Sequence, residues 1–135
     1  MIEILSRNPK LIQIPLNWAS IWVRGTEFYY DNTTREHADI VIQNQHNSSC
    51  YLPNTVCGVV ELKSKVANHE VPGQLYKAVT VLDRFGKSSG LWETTIGIAI
   101  APRYTPSAIS TLKDMGYYVL QWVGDQDCTR LQNID

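Results

Sequence analysis

Three charged residues fall inside two stretches that otherwise have the composition of buried strands. Asp39 interrupts Ala38-Asp39-Ile40-Val41-Ile42, and Glu61 and Lys63 interrupt Val59-Val60-Glu61-Leu62-Lys63-Ser64. A strand core excludes unpaired carboxylates and ammonium groups, because removing them from water costs several kcal/mol or shifts their protonation. Side chains alternate across a strand, so Val59, Glu61, Lys63 and Lys65 share one face while Val60, Leu62 and Ser64 take the other. In the first stretch Ala38, Ile40 and Ile42 form an apolar face, and Asp39, Val41 and Gln43 point the other way. Pairing of the two strands lets Asp39 meet Glu61 and Lys63.

Two carboxylates offering oxygen ligands suit a hard divalent cation such as Mg²⁺, which keeps several waters and binds through one or two carboxylates plus a substrate phosphate. An adjacent ammonium holds a phosphate oxygen or stabilises an attacking hydroxide, so the trio has the outline of a phosphodiester-hydrolysis site. The plainer alternative is an edge strand whose solvated face carries Glu61, Lys63 and Lys65, since alternating charge discourages edge-to-edge pairing. Asp39 is then a surface partner of one lysine, contributing little.

Asp39, followed after an apolar run by Glu61-Leu62-Lys63, resembles the PD-(D/E)xK nuclease superfamily, which includes archaeal Holliday-junction resolvases, RecB-like nuclease domains and many restriction enzymes. The resemblance covers residues 36 to 123. It implies that Asp39 and Glu61 bind Mg²⁺ or Mn²⁺, that the Leu62 carbonyl adds a ligand, that Lys63 assists the attacking water, and that DNA is the substrate. His37-Ala38 stands where the name-giving pattern has a Pro before the Asp. Many members carry a further Glu on an N-terminal helix; no amphipathic helix is legible before Asp39, and Glu27 and Glu36 are the candidates for that role. Gln74 opens the helix after the Glu-x-Lys strand, where several branches place a Gln that orients metal ligands or touches phosphate. The Tyr that RecB-like members carry four residues later is Ala78 here. Gln74 is equally at home as a solvated residue of the first turn.

The downstream order supports the resemblance. Pro72 to Phe85 reads as a helix, with Leu75, Ala78, Val79, Leu82 and Phe85 at three- and four-residue steps, Pro72 in the first turn and Gly86 as the C-terminal cap. Thr94 to Ala101 is short, apolar and isoleucine-rich, as for a strand covered on both faces, and Pro102 ends it. Thr105-Pro106 supplies an N-cap followed by a first-turn Pro, Ile109, Leu112 and Met115 make a stripe, and Gly116 stops the second helix. Tyr117 to Val123 reads as a last strand. The expected fold is α/β with a mixed sheet, a restriction-endonuclease-like core ordered strand, strand, strand, helix, strand, helix, strand from Arg24 onward.

At 135 residues, with 44% hydrophobic and 19% charged residues, the chain fits one domain that needs no disulfide or structural metal. Residues 1–20 read as an N-terminal extension and 124–135 as a loosely held tail. Leu11 to Ile14 and Ile21 to Tyr30 look extended, while Pro15 to Val23 is also compatible with a short helix. Asp31 to Thr34 supplies turn chemistry, and 43–55 is a polar hairpin loop of a length that often contacts ligand. No apolar run is long enough to span a membrane and the N-terminus lacks signal-peptide features, so the expected location is cytoplasmic. Cys50, Cys57 and Cys128 match neither zinc nor redox spacing and read as free thiols. His37, His46 and His69 are scattered, although the loop containing His69 approaches the proposed site. Trp18, Trp22, Trp92 and Trp122 suit a core or interface better than base stacking, because no basic cluster is interleaved with them.

A formal net charge of -1 gives no global attraction to a polyanion. Local charge has to compensate, with Lys63, Lys65 and Lys77 around the site and Arg84, Lys87 and Arg103 flanking it. Two functions of different class follow: a metal-dependent nuclease, or a catalytically inactive module of the same fold that binds nucleic acid or assembles with protein. Paired scission of duplex DNA would call for a homodimer.

Overall fold

A computed structural model describes residues 2–18, 21–31, 36–44, 55–124 and 129–134, with residues 29–31 as backbone only. Two short helices, α1 (Ile2–Arg7) and α2 (Lys10–Leu16), precede the strands β1 (Ile21–Asp31), β2 (Glu36–Asn44) and β3 (Val56–Leu62). The order continues through β4 (Val66–Ala67), α3 (Val71–Ser89), β5 (Thr94–Ala101), β6 (Arg103–Tyr104), α4 (Pro106–Asp114), β7 (Tyr118–Gly124) and β8 (Thr129–Asn133). Six strands form one sheet in the order β1-β2-β3-β5-β7-β8, and β4 pairs with β6 in a separate two-stranded ladder. The first three strands are an antiparallel meander, β3, β5 and β7 run parallel, and β8 returns antiparallel.

Strand alternation sorts the apolar residues onto two faces, and helices cover both. Ile40, Ile42, Val60, Ile98, Ile100 and Leu120 pack with Leu5, Ile12 and Leu16 from α1 and α2. Val41, Val59, Ala99 and Val119 pack on the other face with Leu75, Ala78 and Leu82 of α3 and Leu112 of α4. The parallel crossover β3-α3-β5 requires this cover, since each central strand is buried on both sides.

Local chemistry explains the element ends. Thr105 Oγ1 accepts from the Ala108 N–H at 3.3 Å, Pro106 follows in the first turn, and Gly116 takes φ +80° beyond the helix, as expected. α3 starts at Val71 with Pro72 in its first turn, but Gly86 is not its cap. The helix runs one turn further to Ser89, and Gly90, at φ +73°, takes the left-handed position. Gly86 serves packing instead: a Cβ there would lie 2.0 Å from Trp92 Nε1. The indole therefore rests on bare backbone and donates to Leu82 O and Thr95 Oγ1 at 3.2 and 3.1 Å.

Both chain ends differ from the sequence reading. Leu11 to Ile14 is helical within α2, not extended, and Asn17, at φ 56°, closes that helix with its N–H on Gln13 O and Ile14 O. Residues 129–133 are not a loose tail: β8 pairs with β7 and buries Leu131. One apolar side chain in a five-residue strand leaves too short a period to be read from sequence. The turn expected at 32–34, most of the polar loop at 45–54, and His46, Cys50 and Cys128 lie outside the described residues. Among the described residues no helix is long and apolar enough to cross a membrane.

Candidate functional site

Glu61 sits near the C-terminal end of β3, and the antiparallel register, Ile40 against Val60 and Val41 against Val59, puts Asp39 in line with it on β2. Main-chain pairing of β2 with β3 stops there. The N–H of Leu62 is taken by the Asp39 side chain, whose Oδ2 accepts it at 2.7 Å. That bond replaces a ladder bond and fixes the carboxylate against the strand edge. On the far side of β3 the ladder continues, with the Lys63 N–H donating to Ile100 O at 2.9 Å. The peptide bonds are trans, so the Leu62 carbonyl points opposite to the Lys63 N–H, toward the gap that Asp39 occupies.

Glu61 is only 13% exposed, and Lys63 Nζ lies 3.5 Å from its Oε1. Burial, and then the charge of Asp39, push the Glu61 carboxyl from its usual 4.5 up to about 7, against the opposing pull of Lys63 and His37. The Glu61 carboxyl, raised by burial and by the charge of Asp39 nearby, is electrostatically strained in a way that a bound cation would relieve. The donors present are two carboxylates and one carbonyl, all hard oxygens suited to Mg²⁺ or Mn²⁺ with waters filling the remaining positions. Among the described residues no group of three or more His, Cys, Asp or Glu side chains is arranged to hold a metal.

His37 is the site neighbour that sequence reading left among scattered histidines. Its Nε2 lies 3.6 Å from Asp39 Oδ1, and its same-face spacing from Asp39 on β2 was the available signal. Gln74 stands exposed in the first turn of α3 and makes no side-chain hydrogen bond among the described residues. Glu36 is committed to Lys77 of α3, which contacts both of its oxygens at 2.6 and 2.5 Å, tying β2 to the helix. Glu27 lies on β1 with φ 46° and is exposed.

The expected ring of cations is only partly assembled. Lys87 pairs with Asp83 at 2.9 Å, and it lines, with Arg84, an open cleft of about 420 Å³ that also includes Tyr76, Thr94, Thr95 and Tyr117. That cleft reaches the start of β5, where Thr94 pairs with Val56, so it opens at the opposite end of the sheet from Glu61. Cys57 and Trp92 lie toward the same far end. Burial raises the Cys57 thiol to about 12, and Arg24 stacks on the Trp22 and Trp92 rings while donating to buried Gln43 at 2.9 Å.

No family model and no curated protein matches this chain. Two solved structures do. The complex of EndoMS with double-stranded DNA superposes with a TM-score of 0.62 at 21% identity, covering 87% of this chain and 40% of that one. A repair endonuclease from Pyrococcus abyssi gives 0.61 at 19%, covering 88% and 43%. The fold is restriction-endonuclease-like. This chain spans about two fifths of the length of either neighbour, and at these identities the likeness speaks for architecture.

Proposed function

We propose that the protein is a metal-dependent nuclease that hydrolyses phosphodiester bonds of DNA, a member of the PD-(D/E)xK group. The observation that carries this reading is the Asp39–Glu61 pair: one carboxylate anchored on the Leu62 N–H, the other raised to about 7 beside it, with an ammonium at 3.5 Å. An ordinary surface strand has no such arrangement, because exposed carboxylates keep their usual acidity. The two structural neighbours, one a complex of EndoMS with double-stranded DNA and one a repair endonuclease, lend support.

Asp39, Glu61 and the Leu62 carbonyl would hold Mg²⁺ or Mn²⁺, which when bound neutralises phosphate charge and acidifies a water. Asp39 contributes orientation, since its bond to the Leu62 N–H leaves its remaining lone pairs aimed by the strand edge. Lys63 holds the attacking water or a non-bridging phosphate oxygen, and its charge favours the hydroxide over water. Water oxygen adds to phosphorus as the bond to the sugar oxygen breaks, with the proton passing to solvent. Gln74 reaches the phosphate from the helix that follows.

The second reading, a catalytically silent module of the same fold, draws on the lack of a three-residue ligand group among the described residues. Cleavage of plasmid and branched DNA with Mg²⁺ or Mn²⁺, in wild type and Glu61→Ala, separates the two. Cleavage that the substitution abolishes supports the nuclease. Intact DNA in both, with no change in melting temperature on adding metal, leaves the module.

A further inference from the structure

Folding gathers three side chains that the sequence keeps apart: Trp22 and Arg24 of β1, and Trp92 between α3 and β5. The Arg24 guanidinium lies over both indoles, 4.9 Å from the ring centroid of Trp22 and 5.4 Å from that of Trp92. A basic group is thus interleaved with two tryptophans, which their spacing along the chain does not indicate. The stack is fixed from its inner end. Trp92 is buried and donates to Leu82 O and Thr95 Oγ1, while Arg24 donates to Gln43 Oε1 at 2.9 Å. Gln43, itself buried, donates in turn to Leu91 O at 3.1 Å.

Trp22 is the outer end of this stack. It is 51% exposed on an edge strand, and its indole N–H makes no hydrogen bond among the described residues. Phe85, whose ring centroid lies 5.8 Å from that of Trp92, is a second exposed ring beside it. Arg24 has no carboxylate partner among the described residues, and Asp83, which shares the Cys57 neighbourhood with it, is paired with Lys87. An apolar protein surface seated here would bury that guanidinium without a counter-charge, which is costly. A partner with a planar ring and a negative charge satisfies both groups at once, and a nucleotide of a single strand has both.

We propose that Trp22 is a stacking platform for an unpaired base in a single-stranded segment of the DNA substrate, with Arg24 holding the ring and drawing in a flanking phosphate. A ring already braced in one orientation loses less freedom on stacking than a mobile one. Trp22 is in register with Gln43, four residues along β2 from Asp39, so the ring and that carboxylate are ~14 Å apart at ~3.4 Å per residue. Stacked nucleotides follow one another at ~3.4 Å along a strand, which sets the held base about four steps from the scissile phosphate. That placement rests on the nuclease reading, whereas the stacking acts through binding and works without chemistry. A blunt duplex offers the platform no free base face, so a substrate with a single-stranded flank is preferred.

The test is binding of a labelled oligo-dT strand and of a blunt duplex, followed by fluorescence anisotropy in EDTA, with the full chain carrying Glu61→Gln as parent so that no cleavage intervenes. Adding Trp22→Ala is expected to weaken single-strand binding roughly 5- to 150-fold, the loss of one base stack, and to leave duplex binding unchanged. Trp22→Phe keeps a ring and retains most of the affinity. Tyr76→Ala removes a similarly exposed ring from the cleft beside α3 and changes neither measurement. An abasic strand of the same length and charge binds the parent as weakly as it binds the Trp22→Ala variant, and the parent's half of that comparison stands even if the variant folds poorly. Full single-strand affinity without Trp22, equal losses on strand and duplex, or no binding of the strand by the parent overturns the platform. So does self-association of the parent in sedimentation that Trp22→Ala abolishes, which would assign the ring to a second copy of the chain. Absence of cleavage by wild type with Mg²⁺ would instead remove the nuclease reading, leaving a platform that still binds.

Discussion

Replacing Glu61 with Gln should stabilise the metal-free protein above pH 7 while removing its response to metal. The sign follows from linkage. The folded carboxyl is raised from 4.5 to about 7, so between those values the folded state binds more protons than the unfolded chain. Wild-type stability therefore falls as pH rises through this window, and the full cost is present above about 7. The displacement corresponds to roughly 3 kcal/mol at ~1.4 kcal/mol per pH unit. Glu61 is 13% exposed, so solvent screening removes little of this. That displacement is already net of the opposing pull of Lys63, so a gain of about 3 kcal/mol is expected, or roughly 9 to 12 °C in Tm for a domain of this length. Thermal melts in EDTA from pH 4 to 8 test it: the two curves should meet near pH 4 and separate above 6. Mg²⁺ should then raise the wild-type Tm at pH 8 and leave the variant unmoved. A variant that melts at or below wild type at pH 8 in EDTA would refute the assignment of Glu61 as a buried, charge-strained carboxylate.

Asp39→Ala leaves the Leu62 N–H without its acceptor and should cost about 1–3 kcal/mol, whereas Asp39→Asn keeps an acceptor oxygen and should lose less; urea unfolding in EDTA compares them. Equal losses would mean that the bond contributes nothing. Gly86→Ala drives a methyl into the Trp92 ring and should destabilise by about 1–3 kcal/mol or more, with a changed near-ultraviolet dichroism signal; a native-like spectrum and Tm would contradict the packing. Cys57, buried with its thiol raised to about 12, should resist iodoacetamide at pH 8 until the chain is unfolded, as mass spectrometry of its tryptic peptide would report. Rapid labelling of the native protein would show that the far end of β3 opens to solvent.

Residues whose neighbours in sequence are also their neighbours in space were readable before folding. The Thr105-Pro106 start and Gly116 stop of α4 are satisfied within one turn, and the isoleucine run of β5 states its own two-sided burial. The end of α3 was misplaced because Gly86 and Gly90 look alike in sequence. What distinguishes them is Trp92, which needs the space over one and not the other. α1 and α2 escaped detection because six and seven residues show barely two turns of period, and Pro15 within α2 argues against a helix there.

Alternation by itself determined that Asp39 and Glu61 belong to the same side of their strands, since that follows from backbone geometry at period two. It also determined that three charges in apolar strands needed a common explanation. Only the tertiary structure decided that β2 and β3 pair in the register that sets the two carboxylates in line, that the Leu62 N–H goes to Asp39, and that Lys77 is spent on Glu36. Register and charge pairing depend on residues far apart in the chain meeting at a few ångströms. A slip of one position would preserve every local preference and still turn the site away from itself.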